Sequence, residues 1–299
     1  MHEIMITTEC VADLPKELLL NKNVEMIYFD VETERGLFRD TDEVGAQNLI
    51  EYMANGKKKA QSVVPSANEY KNFFAKNLEE CDEIVHICIG GEISVALEHA
   101  KLGRAKLGMD GHRVHLVDSC HLSTGLGILV LEALKYRQQG LSSTQIVRQL
   151  EAAIPHICTT FLANNADYLY YNGKVGKMSM NICKYLHLHP VLGMKNGYLT
   201  FKRVYIGDYK KVLGRYVADL FKEHKNIRTD TVFLTYVGCG HEILSQVQRE
   251  IYKHVTFQTL WEQQASATIS CNCGPLTFGV LFMEKYDEIE FDDEDDAEK

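Results

Sequence analysis

Four short segments rich in hydroxyl, thiol and glycine residues each stand between an apolar run and a helical pattern. They cover residues 8–12, 62–66, 90–94 and 118–123. In open α/β sheets such segments lie beyond the carboxyl ends of the strands, where loops and helix N-termini expose amides to ligands. Gly90-Gly91 lets backbone amides approach an anion closely. Spacing alone leaves two interpretations open, a site for a polar or anionic group or a set of well-capped turns.

The other reactive side chains do not match the patterns of catalytic or metal-binding sites. Asp118-Ser119 and His121 lie too close in sequence for a catalytic triad, and no GxSxG motif is present. The cysteines within 239–241 and 271–273 lack the CxxC spacing of zinc knuckles. Neither glycine-rich dinucleotide-binding motif occurs. We therefore predict no catalytic residue, no metal site and no cofactor.

Strand and helix patterns alternate through the first half of the chain. Alternating strands and helices are typical of a parallel sheet covered by helices on both faces. The sequence thus predicts an α/β fold. The expected strands are 3–8, 24–31, 83–89 and 113–117, and the expected helices are 68–78, 94–107, 123–139 and 145–154.

The pattern changes after Pro155, where strands begin to dominate. Asn196-Gly197 is a strong hairpin signal between two of these strands. We therefore predict an N-terminal domain of residues 1–157 with a parallel sheet and a smaller mixed α/β domain of residues 158–286. In the second domain we expect strands at 158–163, 189–194, 198–205, 231–237, 255–261 and 277–282, helices at 208–224 and 242–252, and a loop at 271–275.

Charge and composition exclude several classes of protein. The chain has 299 residues and a formal net charge of -9, and residues 287–299 carry nine of its 41 acidic groups. Such a block of like charges predicts a disordered acidic tail. A nearly neutral body lacks the clustered basic residues that bind nucleic acid. No apolar run is long enough for a transmembrane helix, and neither a signal peptide nor a disulfide framework is indicated, so we expect a cytoplasmic protein with reduced thiols.

Seven motifs, taken in order, resemble those of the DegV family of bacterial lipid-binding proteins. The resemblance spans residues 4–282. The best match is the segment in which Asp118-Ser119 is followed by Ser123, Gly125 and Gly127. The matching segments are 8–15, 62–66, 89–100, 116–127, 168–175, 189–203 and 270–280.

The resemblance implies a two-domain fold with a long-chain fatty acid, or a related lipid, in an apolar tunnel between the domains. It also implies a carrier that is not itself an enzyme and that presents the lipid head group to a partner kinase. The implied head-group residues are Cys10, Ser62, Gly90, Gly91, Ser94, Cys271, Asn272 and Cys273. The implied residues near the ligand or facing the partner are Thr8, Val63, Ser119, Lys174 and Arg203.

Departures from the family pattern cluster at the expected head group. Cys10, Val63 and the Gly90-Gly91 pair replace hydroxyl residues, Asn272 replaces a histidine, and Lys174 replaces an arginine, which loses the planar fork that binds a carboxylate. Two alternatives therefore remain open. One is a thiol-lined site of Cys10, Cys271 and Cys273 that binds a soft metal or a ligand other than a carboxylate. The other is a protein without a ligand that acts through its surface or its acidic tail.

Overall fold

The computed structural model describes residues 3–19, 24–41, 45–54, 59–164 and 188–291. None of the helices in these ranges is long and apolar enough to cross a bilayer. The strands are β1 (Ile4–Glu9), β2 (Val24–Ile27), β3 (Asp30–Thr33), β4 (Gly36–Arg39), β5 (Ala60–Val63), β6 (Glu83–Cys88), β7 (Val114–Asp118), β8 (Ile157–Leu162), β9 (Leu188–Lys195), β10 (Tyr198–Ile206), β11 (Ile227–Val237), β12 (Thr259–Gln264) and β13 (Thr277–Glu284). The helices are α1 (Lys16–Leu19), α2 (Ala46–Ala54), α3 (Ala67–Asn77), α4 (Ala96–Ala105), α5 (Thr124–Gln138), α6 (Ser143–Ala153), α7 (Tyr209–Glu223), α8 (His241–Tyr252) and α9 (Ala267–Cys273).

The first sheet is parallel, with the strand order β2-β1-β6-β7. Its central strand β1 is buried along its whole length, as expected for a parallel strand with helices on both sides. Rings of α3 pack against His86 on one face, where the centroids of Phe74 and His86 are 5.1 Å apart. Helix α5 contacts β1 and β6. The predicted α/β fold with a parallel sheet is therefore confirmed.

The second sheet is mixed, with the order β10-β9-β8-β13-β11-β12. Only the β11 and β12 pair runs parallel; the other neighbours are antiparallel. The predicted hairpin joins β9 and β10, and Asn196 and Gly197 have φ angles of 51° and 81°, which is the left-handed pair that a tight two-residue hairpin requires. The strand expected at 255–261 lies instead at Thr259–Gln264, because it pairs with β11 from Thr231 to Tyr236.

Helix α5 lies between the two sheets and contacts strands of both. Eleven of its fifteen residues are buried, so it lacks the exposed polar face of a surface helix. The hydroxyls of Thr124 and Thr235 are 2.6 Å apart across the contact with the second sheet. A side chain at Gly125 would overlap the hydroxyl of Thr159. Glycine at this position therefore permits the close approach of helix and sheet.

A small third sheet, with the strand order β4-β3-β5, corrects one expectation from the sequence. The single strand predicted at 24–31 is divided, because β2 joins the first sheet and β3 joins this antiparallel one.

The loop predicted at 271–275 is mostly helix α9, which begins at the cap Ser266 and packs on α2 and β5. Gly274-Pro275, which predicts a loop, follows directly after the C-terminus of this helix.

The domain limits at residues 157 and 286 stay predictions. Strand β8, the first strand of the second sheet, begins at Ile157. Helix α9, from the predicted second domain, packs against elements of the first.

The acidic tail that the sequence predicts to be disordered starts at residue 287, and the structure describes contacts of residues 288–291. Ile289 exchanges two backbone hydrogen bonds with the Gln149 side chain, of 2.6 and 3.0 Å. Glu288 forms an ion pair with Lys135, and Arg148 stacks over Phe291. Apolar and amide contacts therefore hold these residues on α5 and α6 despite their acidic neighbours. Residues 292–299 lie outside the described ranges.

Candidate functional site

An apolar cavity of about 250 Å³ lies where the first sheet, α9 and the second sheet meet. Its walls come from elements far apart in sequence: Phe161 on β8, Leu199 on β10 and Ile269 on α9. Such mostly apolar pockets with a few placed polar groups are typical of small-molecule sites. The described lining residues are Phe29, Ser62, Val64, Ile89, Ile93, Ser94, Val95, Leu122, Phe161, Leu199, Thr268, Ile269, Asn272 and Cys273.

The polar groups of this cavity come from three segments. The Asn272 amide nitrogen donates to the Ser62 hydroxyl at 3.4 Å and to the Thr268 carbonyl at 2.8 Å. The Ser94 hydroxyl accepts from the Ala96 amide at 3.2 Å, within the turn that starts α4. No charged side chain is among the lining residues that the structure describes. The polar groups that line the cavity are therefore neutral hydroxyls and an amide.

A second, smaller cavity of about 30 Å³ lies deeper, against the second sheet. Four side chains line both cavities: Leu122, Phe161, Ile269 and Cys273. They form the partition between the two spaces, so an extended apolar ligand that passes these side chains would reach the face of β8 and β13.

Four of the eight predicted head-group residues line the cavity of about 250 Å³: Ser62, Ser94, Asn272 and Cys273. The two glycines do not. The Gly90 amide donates to the His121 carbonyl at 2.8 Å, and the Gly91 amide donates to the Asp118 carboxylate at 3.1 Å. Both amides therefore fix the loops against one another, and their role in binding an anion stays a prediction.

The remaining two thiols, Cys10 and Cys271, lie elsewhere. Cys10 faces a separate cavity of about 750 Å³ beside Asp13 and Asp40, and its sulfur accepts from the Phe29 amide at 3.2 Å. Cys271 is buried in an apolar cluster under α2. Burial raises the pKa of the Cys271 thiol to about 12 and that of Cys10 well above its usual value.

The structure does not bring together the three thiols of the alternative site. The ligand atoms of Cys10, Cys271 and Cys273 do not form a group within 4.8 Å in the described part of the chain.

Four of the five residues predicted to lie near the ligand or to face a partner have contacts within the fold. The Thr8 hydroxyl donates to the Ile87 carbonyl at 2.9 Å, and Ser119 bonds to the backbone of His121 at 3.1 Å. Val63 pairs with Asp30 in the small sheet. Arg203 forms ion pairs with Asp219 and Glu223 on the surface of the second half. Lys174 lies outside the described residues.

Two buried aspartates, which sequence reasoning missed, position the helix that carries Asn272. The carboxylate of Asp40 accepts from the amides of Ala267 at 3.0 Å and Thr268 at 2.7 Å, and Asp13 accepts from the Ser266 amide at 2.8 Å. Carboxylates at a helix N-terminus satisfy amides that have no partner within the helix. Burial raises the pKa of Asp13 to about 7. The signal for this arrangement was Ser266, a good N-cap residue, but a sequence does not show which distant acids reach it.

Comparison with known proteins identifies the family. The model described as "Uncharacterised protein, DegV family" matches residues 3–285. The chain belongs to the DegV family. A DegV domain-containing protein of Deinococcus radiodurans is 29% identical over 279 residues, which are 93% of this chain and 97% of the relative. Another from Caldanaerobacter subterraneus is 24% identical over 95% of this chain and 100% of its own length.

Solved structures of DegV proteins have the same fold. The DegV family protein from Thermus thermophilus, described as fatty acid binding, has a TM-score of 0.84 at 21% identity and covers 95% of this chain and 100% of its own. DegV of Bacillus subtilis, described as a fatty acid binding protein, has a TM-score of 0.81 at 18% identity, with coverage of 95% and 100%. The two-sheet DegV architecture therefore extends over nearly the whole chain.

Within this DegV family chain, several apolar lining residues were not predicted from the sequence. Phe29 lies between β2 and β3, and Leu122 precedes α5. Phe161 and Leu199 belong to β8 and β10, and the sequence pattern of these segments predicts only a β-strand. Apolar residues in strands point to a core in either case, so their position beside a cavity had no separate signal in the sequence.

Proposed function

We propose that this DegV family protein binds a long-chain fatty acid in the cavity between its sheets. The single observation that carries the proposal is that the neutral polar side chains of Ser62, Ser94 and Asn272 line an apolar cavity. The related proteins of known structure that are described as fatty acid binding support it.

The acyl chain occupies the apolar walls and passes the partition of Leu122, Phe161, Ile269 and Cys273 toward the second sheet. Each buried methylene contributes about 0.8 kcal/mol, so the hydrocarbon supplies most of the binding free energy. The cavity between the sheets, at about 250 Å³, is by itself small for a drug-sized ligand, for which about 300–1,000 Å³ is usual. A long chain therefore enters the smaller cavity by displacing the partition side chains.

The carboxylate lies at the polar groups. Hydroxyl and amide donors to a charged oxygen contribute about 1.5–3 kcal/mol each. Because Asn272 is a neutral amide, its ability to donate does not change with pH. The polar end lies beside Val95, which is 56% exposed. The carboxylate is thus held near the surface, where a partner kinase reaches it, and the protein acts as a carrier that makes no bond itself.

The test is mass spectrometry of the purified protein under native and then denaturing conditions, followed by lipid extraction. We expect a long-chain acid that is lost on denaturation. Leu199→Trp fills the cavity from β10 and should reduce the lipid content several-fold. Val204→Trp is the matched control, because Val204 lies on the same strand and is 45% exposed.

The two variants separate the outcomes. Lipid lost in Leu199→Trp but retained in Val204→Trp supports the proposed cavity. Lipid retained equally in both folded variants would place the ligand elsewhere. A wild-type protein that holds no lipid, and takes up none when fatty acid is added, would overturn the proposal.

A further inference from the structure

A cluster of buried polar side chains lies on one face of the first sheet, apart from the lipid cavity. Thr7 of β1 stands directly beside His86 of β6. Side chains two residues apart point to the same face of a strand, so Glu9 and Cys88 lie on this face as well. Thr7, Glu9, His86 and Cys88 are all fully buried.

Three of these side chains offer metal-ligand atoms close together. A carboxylate oxygen of Glu9, a ring nitrogen of His86 and the sulfur of Cys88 all lie within 4.8 Å of one another. In a tetrahedral zinc site with bonds of about 2.0–2.3 Å, ligand atoms are about 3.5 Å apart. Inward movements of about 1 Å, within reach of side-chain rotation, would bring all three into contact with one ion.

His86 supplies independent evidence that a partner belongs in this cluster. Its Nδ1 is 2.8 Å from the Thr7 hydroxyl, but its buried Nε2 has no hydrogen-bond partner. The rings of Tyr70 and Phe74 pack edge-on against the imidazole and offer it no acceptor or donor. A buried polar atom without a partner costs about 1–3 kcal/mol, and a cation bound at Nε2 would satisfy it.

The surroundings hold Glu9 as well as they hold the imidazole. The Tyr70 hydroxyl donates to one carboxylate oxygen of Glu9 at 2.5 Å, and the Ile89 amide donates to the other at 2.7 Å. Metal ligands are commonly oriented by such outer hydrogen bonds, including one from the second nitrogen of a histidine. The contact of His86 with Thr7 is of this kind.

We propose that Glu9, His86 and Cys88 bind one zinc ion in the core of the first sheet. Carboxylate, imidazole and thiolate are all ligands of this borderline-soft ion. A carboxylate and a thiolate together neutralise its two positive charges, as a buried site requires. Binding releases the Cys88 thiol proton. Ile89, the next residue after Cys88, lines the lipid cavity, so the ion would stabilise the strand end that supports this wall.

The experiment measures metal content by mass spectrometry in untagged full-length protein grown with added zinc. We expect one zinc ion per chain in the wild type and a loss of at least tenfold in Cys88→Ser and Glu9→Gln. Cys81→Ser is the matched control, because Cys81 is another buried thiol of the same half and donates to the Asn77 carbonyl. It should keep its zinc.

Cobalt refolded into the wild type gives a second readout that needs no variant. A thiolate-to-cobalt absorption band is expected, and its absence would overturn the proposal. So would a wild type that holds no zinc after both growth and refolding with excess zinc, or zinc that remains in Cys88→Ser. Extracted lipid is measured in the same samples, so failure of the zinc site is distinguished from failure of lipid binding.

Discussion

At the scale of single residues, Asn272 is the group whose chemistry most directly concerns the proposed lipid head-group site. Its amide nitrogen lies 3.4 Å from the Ser62 hydroxyl in the cavity wall. An amide donates to a carboxylate but carries no charge of its own. Recognition therefore depends on hydrogen bonds in an apolar setting, where their loss is costly.

We predict that Asn272→Asp weakens fatty-acid binding by about 10–150-fold, equivalent to about 1.5–3 kcal/mol. The substitution keeps the shape of the side chain but exchanges a donor for a negative charge facing the carboxylate. Calorimetric titration of delipidated protein with a long-chain acid measures the change.

A long-chain alcohol of equal length serves as the control ligand. Its neutral head can donate to the new carboxylate, so its affinity should fall much less than that of the acid. Equal losses for acid and alcohol would show that Asn272 shapes the cavity and does not contact the head group.

At the scale of elements, α9 connects the two halves of the site. It begins at amides held by Asp13 and Asp40 and ends with Asn272 and Cys273 in the cavity wall. Its seven residues are too few to be stable as an isolated helix. The position of the head-group donor therefore depends on the two buried carboxylates.

We predict that Asp40→Ala lowers the free energy of unfolding by about 1–2 kcal/mol, the usual cost of losing a helix cap, and also weakens fatty-acid binding. Urea unfolding and ligand titration give the two values. Asp208→Ala is the matched control, because Asp208 caps α7 through the Lys211 amide at 3.2 Å, and Asp208 is not among the described residues of the cavity wall. A fatty-acid affinity that falls equally in both variants would contradict the positioning role of Asp40.

Sequence patterns predicted most elements but not their partners. The helix at 145–154 was expected from Ser142, which forms a capping box with Gln145 and leaves a local signal. Helix α9 has only seven residues and is followed directly by Gly274-Pro275, so these helix-breaking residues predicted a loop. The resemblance to the family implied Ser62 and Ser94 as site residues, and both line the cavity. The acceptors that the Gly90 and Gly91 amides use, His121 and Asp118, come from a different loop, and no local pattern shows this.

At the scale of the whole molecule, the cavity exists only while the two sheets are held at a fixed distance. Phe161 and Leu199 come from the second sheet, and the opposite wall includes Ile89, at the end of the first sheet. Helix α5 sets the separation, since Gly125 lies against Thr159 and Thr124 bonds to Thr235. This depends on contacts between residues far apart in the chain, which is why no local pattern predicted the cavity walls.

The last prediction concerns this spacing. An added methyl group at Gly125 would meet the Thr159 hydroxyl at a distance that real contacts do not reach. Helix propensity alone favours alanine over glycine by about 0.5–1 kcal/mol, but overpacking in a buried contact costs about 1–3 kcal/mol. We therefore expect Gly125→Ala to destabilise the protein and to weaken fatty-acid binding, as measured by urea unfolding and ligand titration.

Gly214→Ala in α7 is the control, because its new methyl group would lie at ordinary contact distances of 3.5 Å or more from Glu250. It should stabilise the protein, so the same substitution has opposite signs in the two helices. The double variant with Thr159→Ala removes the overlapping hydroxyl and should recover part of the loss. A Gly125→Ala protein as stable as the wild type would show that α5 and the second sheet separate without cost, and the cavity would then not depend on their close contact.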